Sequence, residues 1–219
     1  MTCMESTRGV MNGGGARPED GRRALAERND RRIREAARAV FTADPEAPVS
    51  AVARHAGVGI SALYRRYRSK EDLLQRLADE GMDRYLAEVE RALADDRDPW
   101  TAFADFMRRC LDMGAGTLAL RLAGGVPATE EMTAKESRMR EATERLLDRL
   151  KEAGAVRRDI GAGDVAVVLE HVHAIRVGED ERLRRLRHRY LTFVLAGLRM
   201  PEDVELPGPA PTWQEVRAR

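Results

Sequence analysis

Four cations, Arg65, Arg66, Arg68 and Lys70, crowd one short stretch, and no carboxylate occurs anywhere from Ala56 to Lys70. A field of one sign over so short a span suits phosphate. Gly59, Ile60, Ser61 and Ala62 lead into these cations. The small side chains among them, at Gly59, Ser61 and Ala62, would let the start of a helix lie close to the base edges of a duplex. The same helix would show Tyr64 and Arg65 on that side.

Other chemistry is scarce. Glu170, His171 and His173 form the one cluster with metal-ligand or acid–base character. On a helix, positions i and i+2 point about 200° apart, so the two histidines cannot chelate one ion. The i, i+4 pair of helical zinc sites is missing, as are a glycine-rich phosphate loop and a Gly-x-Ser-x-Gly elbow. The sequence therefore argues against an enzyme, and implies no cofactor and no metal. Cys3 and Cys110 are too far apart in sequence to suggest a disulfide framework. Cys110 reads as a small core residue, with redox sensing the lesser alternative.

The basic stretch needs elements to hold it. Val49, Val52, Ala53 and Ala56 fall at i, i+3, i+4, i+7, one buried face of a short helix. Pro48 suits its first turn, since the amide it lacks would be unpaired there. Gly57 stops that helix through a left-handed turn, and Gly59 keeps the turn tight. A second helix, about Ile60 to Tyr67, buries Leu63 and Tyr67. A preceding helix, about Asn29 to Thr42, brings Ile33, Ala36, Ala37, Val40 and Phe41 to the pair. Together these make a three-helix unit around a helix-turn-helix; an ordinary hairpin with a solvated basic face is the bland alternative.

The run A-G-V-G-I-S-A-L-Y-R-R-Y-R-S-K-E-D-L-L, Ala56 to Leu74, resembles the signature of the TetR family of bacterial transcriptional regulators. The similarity spans roughly Asn29 to Leu77. It implies an all-α chain with an N-terminal three-helix DNA-binding domain and a C-terminal helical domain for ligand binding and dimerisation. The implied domains are a disordered arm over 1–28, the helix-turn-helix domain over 29–77, an effector and dimer domain over 78–200, and a Pro-rich tail over 201–219. The pattern places Ser61, Ala62, Tyr64 and Arg65 nearest base edges, with Gly59 and Ile60 opening the helix at the groove. Tyr64, Arg66 and Lys70 suit phosphate, as does Ser50. Arg65 has the geometry for a guanine, worth ~1–3 kcal/mol of discrimination if bidentate. Ala62 departs from the family's usual Thr or Ser, exchanging a hydroxyl contact for a methyl.

Composition agrees with a helical protein of this kind. The charged fraction is 34% and the aromatic fraction 5%, and 219 residues suffice for a real core. Net charge is only +1, so distribution matters more. Residues 1–80 hold 15 Lys+Arg against 12 Asp+Glu, leaving 23 against 25 for the remainder. The basic excess thus sits with the DNA-binding part. No run approaches the ~18 apolar residues of a membrane span, and the N-terminus lacks the apolar core of a signal peptide. We expect a cytoplasmic protein without a membrane role.

Residues 1–28, rich in Gly and Arg, read either as a solubilising tail or as a basic arm. In the second case Arg22, Arg23 and Arg28 would reach a minor groove. Ser69 with Asp72 opens a long helix to about Ala94. Further helices follow at Trp100–Met113, Thr117–Ala123 and Thr129–Ala153. Asp164 caps Val165–Arg176, and Glu181–Met200 is last. The resemblance implies a homodimer through the last two, facing a two-fold operator in double-stranded DNA. Their candidate face includes Val165, Leu169, Val172, Tyr190 and Phe193; the alternative is that both helices are protomer core, and partial use in each role is the expected outcome.

The large adaptable residues of the body are Trp100, Phe103, Phe106, Met107, Cys110, Met113, Met132 and Met139. They suit a small hydrophobic effector, with His171 or His173 as polar handle. Plain core is the competing reading for each of them. The expected function is a ligand-released TetR-like repressor. The alternative is such a regulator without a small-molecule ligand, controlled by a partner protein or by abundance.

Overall fold

Ile33, Ala36, Ala37 and Phe41 repeat at helical spacing, and each is at most 3% exposed. They anchor α1, Pro18–Ala43, the longest helix of the first of two compact units, Met1–Arg66. In the computed structural model, residues 18–44, 46–114, 129–199 and 204–217 are described, and every regular element among them is a helix.

The first unit is completed by α2, Val49–Ala56, and α3, Ile60–Arg66. The predicted face of α2 holds: Val49, Val52, Ala53 and Ala56 are all buried. Gly57 ends α2 at φ 63°, ψ 37°. Its N–H and that of Val58 turn back to the carbonyls of Arg54 and Ala53 at 3.2 and 3.0 Å. That pair of hydrogen bonds closes the helix as expected for a left-handed glycine. A Cβ here would also stand 2.8 Å from Arg32 Nη2.

One expectation is corrected here. α1 begins at Pro18, so the arm expected to be disordered over 1–28 is helical in its last part; residues 1–17 lie outside the described residues. The physical reason is plain afterwards. After Gly21 no glycine or proline interrupts the chain before Pro45. Arg23 pairs with Glu27 one turn on at 3.2 Å, a weak surface helix support.

The second unit, Tyr67–Arg219, is built from long capped helices. Ser69 Oγ accepts from Asp72 N–H at 3.2 Å and opens α4, Lys70–Leu93. Asp98 accepts from Thr101 N–H at 3.0 Å, with Pro99 in the first turn, and opens α5, Pro99–Met113. Thr129 accepts from Met132 N–H at 3.1 Å and opens α6, Glu130–Glu152. Each cap is worth about 1 kcal/mol. The short helix expected at Thr117–Ala123 lies outside the described residues.

α4, α5 and α6 share the main core: Leu77, Met82, Val89, Phe103, Phe106, Met107, Met139, Leu146, Leu147 and Leu150 are each at most 1% exposed. Full burial of each such side chain is worth roughly 1.5–3 kcal/mol before ordering costs. Polar links set the register. Lys135 reaches Asp79, and Asp83 at 2.9 Å, joining α6 to α4. Arg109 Nε lies 2.5 Å from Glu88 Oε2, joining α5 to α4. Arg149 donates to the carbonyls of Leu93 and Asp95 at 3.0 and 2.7 Å, filling the open end of α4.

α7 runs Ala162–Ala174 rather than Val165–Arg176, and α8 runs Asp180–Gly197. Asp164 is therefore inside the first turn of α7, where its carboxylate accepts from Gly161 N–H at 2.9 Å. The expected Pro-rich tail is also corrected. Residues 204–217 form a strap over the second unit, ending in α9, Trp213–Arg217. Val216 packs on Ala166, with Val167 and Trp213 alongside. Arg157 Nη2 donates to Val204 O at 2.7 Å. The strap runs so close to α7 that a Cβ on Gly163 would sit 1.8 Å from Pro211 O.

Candidate nucleic-acid interface

Leu63 is fully buried, which fixes the rotation of α3 about its axis. The opposite side is then free. Ile60 is 40% and Tyr64 51% exposed, and Ser61, Arg65 and Arg66 are also exposed. Ala62 is half-buried at the edge of this face. On α2, Ser50, Arg54 and His55 are exposed as well. Lys70 stands half-buried at the start of α4, in the second unit.

Gly59, unlike Gly57, has no positive φ. Its carbonyl accepts from the N–H groups of Ala62 and Leu63 at 2.9 and 3.2 Å, making it the residue that caps α3. A Cβ there would meet nothing within 4 Å. Space within the fold does not require a glycine at that place.

Arg66, expected at phosphate, is exposed and also carries an ion pair within the fold. Its Nε lies 2.9 Å from Asp30 Oδ1, and Arg34 reaches the same carboxylate from one turn along α1. Asp30 is only 6% exposed. Two guanidiniums around one buried carboxylate tie the C-terminal end of α3 to α1. Arg65, one residue earlier, projects from the exposed face.

The residues expected to hold a ligand divide into two groups. Phe103, Phe106, Met107, Cys110, Met132 and Met139 meet in the core of the second unit, each at most 2% exposed. Phe106 stands edge-on to Tyr85 with centroids 5.5 Å apart, and tilted to Phe103 at 6.2 Å. Trp100 is half-buried, 6.0 Å from Phe103, with the Arg199 guanidinium 5.0 Å above its ring. Met113 is half-buried at the end of α5. His171 is exposed, and its Nδ1 lies 2.8 Å from Val167 O. Burial pushes the Cys110 thiol well above its usual range, with the Glu88 charge adding to it, so the sulfur stays a protonated core atom.

One polar contact in this core escapes the apolar pattern of the sequence. Tyr85 Oη lies 2.8 Å from Thr143 Oγ1, which itself donates to Met139 O at 2.8 Å. The signal was a threonine on the apolar side of α6. Among the described residues no group of His, Cys, Asp and Glu is placed to hold a metal, and no helix is long and apolar enough to cross a membrane.

A short glycine-capped helix, a second helix rotated by one buried leucine, and a separate all-helical body define a helix-turn-helix regulator. Residues 33–77 match the family described as bacterial regulatory proteins, tetR family, and residues 98–200 match the C-terminal domain of SbtR-like transcriptional regulators. The chain belongs to the TetR family of bacterial transcriptional regulators, which are DNA-binding proteins and not enzymes.

Solved structures agree. SCO0520 of Streptomyces coelicolor is 28% identical at a TM-score of 0.53, over 78% of this chain and 98% of that one. LfrR of Mycobacterium smegmatis, solved with proflavine, is 25% identical at 0.57, over 77% and 96%. A TetR regulator from Mycobacterium vanbaalenii is 27% identical at 0.51, over 81% and 99%. No curated relative matches the chain.

Proposed function

We propose that this protein is a cytoplasmic repressor that grips a palindromic operator as a homodimer and lets go when a small hydrophobic ligand binds. The observation that carries the DNA part is the exposed face of α3, set outward by Leu63. Ser61, Ala62, Tyr64 and Arg65 would read base edges, with Gly59 and Ile60 at the groove. Ser50, Tyr64 and Lys70 would hold phosphates, which set register but not sequence. Arg66 would contribute mainly through Asp30.

The dimer part rests on α7 and α8. Val165, Leu169 and Val172 are buried within the protomer, whereas Tyr190 and Phe193 are 47% and 57% exposed. Large exposed rings on one helix suit a partner surface. A two-fold pair of heads would meet half-sites about one helical turn, ~34 Å, or a multiple apart. The ligand part is supported by LfrR, whose structure holds proflavine, and by the Trp100–Met139 cluster.

That cluster is also the observation favouring the second reading. Its aromatic and methionine side chains fill the space between one another. A regulator without a small-molecule ligand, controlled by a partner protein or by its own abundance, is built this way. One experiment separates the two. A duplex selected by the protein from a random pool is challenged with proflavine and a set of hydrophobic metabolites. Release by any of them supports the ligand reading; retention throughout supports the other.

A further inference from the structure

Between the ends of α5 and α7 and the start of α8 lies a cleft of about 260 Å³. Leu111 and Leu183 give it apolar walls, and Arg184, Arg187, His173 and His188 line it with Asp112 and Asp180. Of its two arginines, Arg187 is set apart by how it is held. Arg187 Nη2 donates to Ile175 O at 3.2 Å, but Nε is buried and meets no acceptor among the described residues. Nor does any carboxylate among the described residues pair with this guanidinium.

The acids nearby are otherwise engaged. Asp112 lies 2.6 Å from His188 Nε2. Glu181 is held by Arg184 and Arg185 at 3.0 and 3.2 Å. Asp180 stands in the first turn of α8, where the helix dipole favours a negative charge. Arg187 also has Arg176 as a like-charged neighbour, which together with burial lowers its proton affinity. A guanidinium stays charged in proteins all the same, and a partly desolvated one calls for an anion.

We propose that this cleft binds a small organic carboxylate, the carboxylate on the Arg187 guanidinium and a short apolar body between Leu111 and Leu183. A guanidinium that lines the cleft and pairs with no carboxylate of its own suits a carboxylate held by charge-assisted hydrogen bonds. The volume sits just under the range of drug-sized sites, so the body is one ring or a short alkyl chain. Of the residues read as an effector site, His173 lines this cleft and the Trp100–Met139 side chains do not, and the assignment does not rest on operator binding.

The test uses the full chain without DNA. Benzoate, phenylacetate and hexanoate, with their neutral amides as controls, are titrated by calorimetry at constant ionic strength. Saturable binding of at least one acid, with its amide at least tenfold weaker, is the expected result. Arg187→Met should weaken that acid roughly tenfold or more, and Arg187→Lys, which keeps charge but loses the fork, should fall between. Leu183→Trp, which fills the cleft and leaves the arginine in place, should also abolish binding. It decides the matter if Arg187→Met does not fold. Acids and amides binding alike, no acid binding at all, or undiminished binding to the folded variants would overturn the assignment.

Discussion

Arg66 of α3 and Asp30 of α1, 36 residues apart in sequence, meet with Nε 2.9 Å from Oδ1. Arg34 reaches the other oxygen of the same carboxylate. The second helix of the helix-turn-helix is thus fastened at its C-terminal end by a charge pair, while Ile60 and Ser61 at its N-terminal end stay exposed. A cation that composition alone would assign to phosphate also ties two helices of the fold together.

This relationship orders three substitutions. Asp30→Ala removes the shared acceptor and should cost about 1–2 kcal/mol, discounted because Arg66 is half in water. Arg66→Ala leaves Asp30 with Arg34 and should cost about 1 kcal/mol or less. Arg65→Ala should leave stability within about 0.5 kcal/mol of the parent. It should nevertheless lose ~1–3 kcal/mol of operator discrimination. Urea melts and anisotropy titrations on a selected duplex measure both columns of this comparison.

Two glycines two residues apart should behave oppositely. Gly57→Ala forces a side chain into φ 63° beside Arg32 and should destabilise by about 1 kcal/mol or more. Gly59→Ala meets open space, so the melting curve should hardly move. Its added methyl stands where a duplex backbone or base edge would come, and affinity for DNA should drop. Equal loss of stability in the two variants would remove the distinction.

The strap offers a third test. Gly163→Ala would drive a methyl into the Pro211 carbonyl, a backbone group that cannot swing aside. Trp213 should move from its packed site beside Ala166 and Val216 into water. In a Trp100→Phe background, Trp213 is the one tryptophan left. Its emission should shift to the red in Gly163→Ala, and the strap should become cleavable by protease under conditions that spare the parent.

Acid should expose the loop between α4 and α5. Arg97 hydrogen-bonds Asp95 and holds its pKa down to about 2. A folded pKa below the unfolded value of about 3.9 adds stability at higher pH. That stability is complete above the unfolded value and disappears as pH falls through the folded one. The Tm gap between the parent and Asp95→Asn should be full at neutral pH. It should shrink below about pH 4 and close near pH 2. A gap that does not change with pH would mean the carboxylate charge is not what matters there.

Local chemistry was legible from sequence; partnerships across the chain were not. Gly57 and Ser69 announce a helix end and a helix start because each acts on its own few neighbours. Asp164 looked like a cap and is one, but its carboxylate serves Gly161 from inside the turn, which moves the helix start by three residues. The first turn of α7 carries Ala162 and Gly163 because the strap passes over it, a reason invisible without the strap.

The strap itself left a trace. Thr212 and Glu215 form a reciprocal cap, Thr212 N–H to Glu215 Oε2 at 2.7 Å and Glu215 N–H to Thr212 Oγ1 at 3.3 Å. This Thr-x-x-Glu spacing marks a helix start, hidden among prolines that read as tail. Asp30 gave no such trace. An acid within an Arg-rich run looks like a solvated face until α3 is folded against it.

The central claim is that sequence choice resides on the outward face of α3. It is tested most directly by parallel selection of duplexes from one random pool, with the parent protein and with Tyr64→Ala/Arg65→Ala. The parent should enrich an inverted repeat, and the variant, equally helical and equally dimeric, should enrich none. Recovery of the same repeat by both proteins would contradict the account.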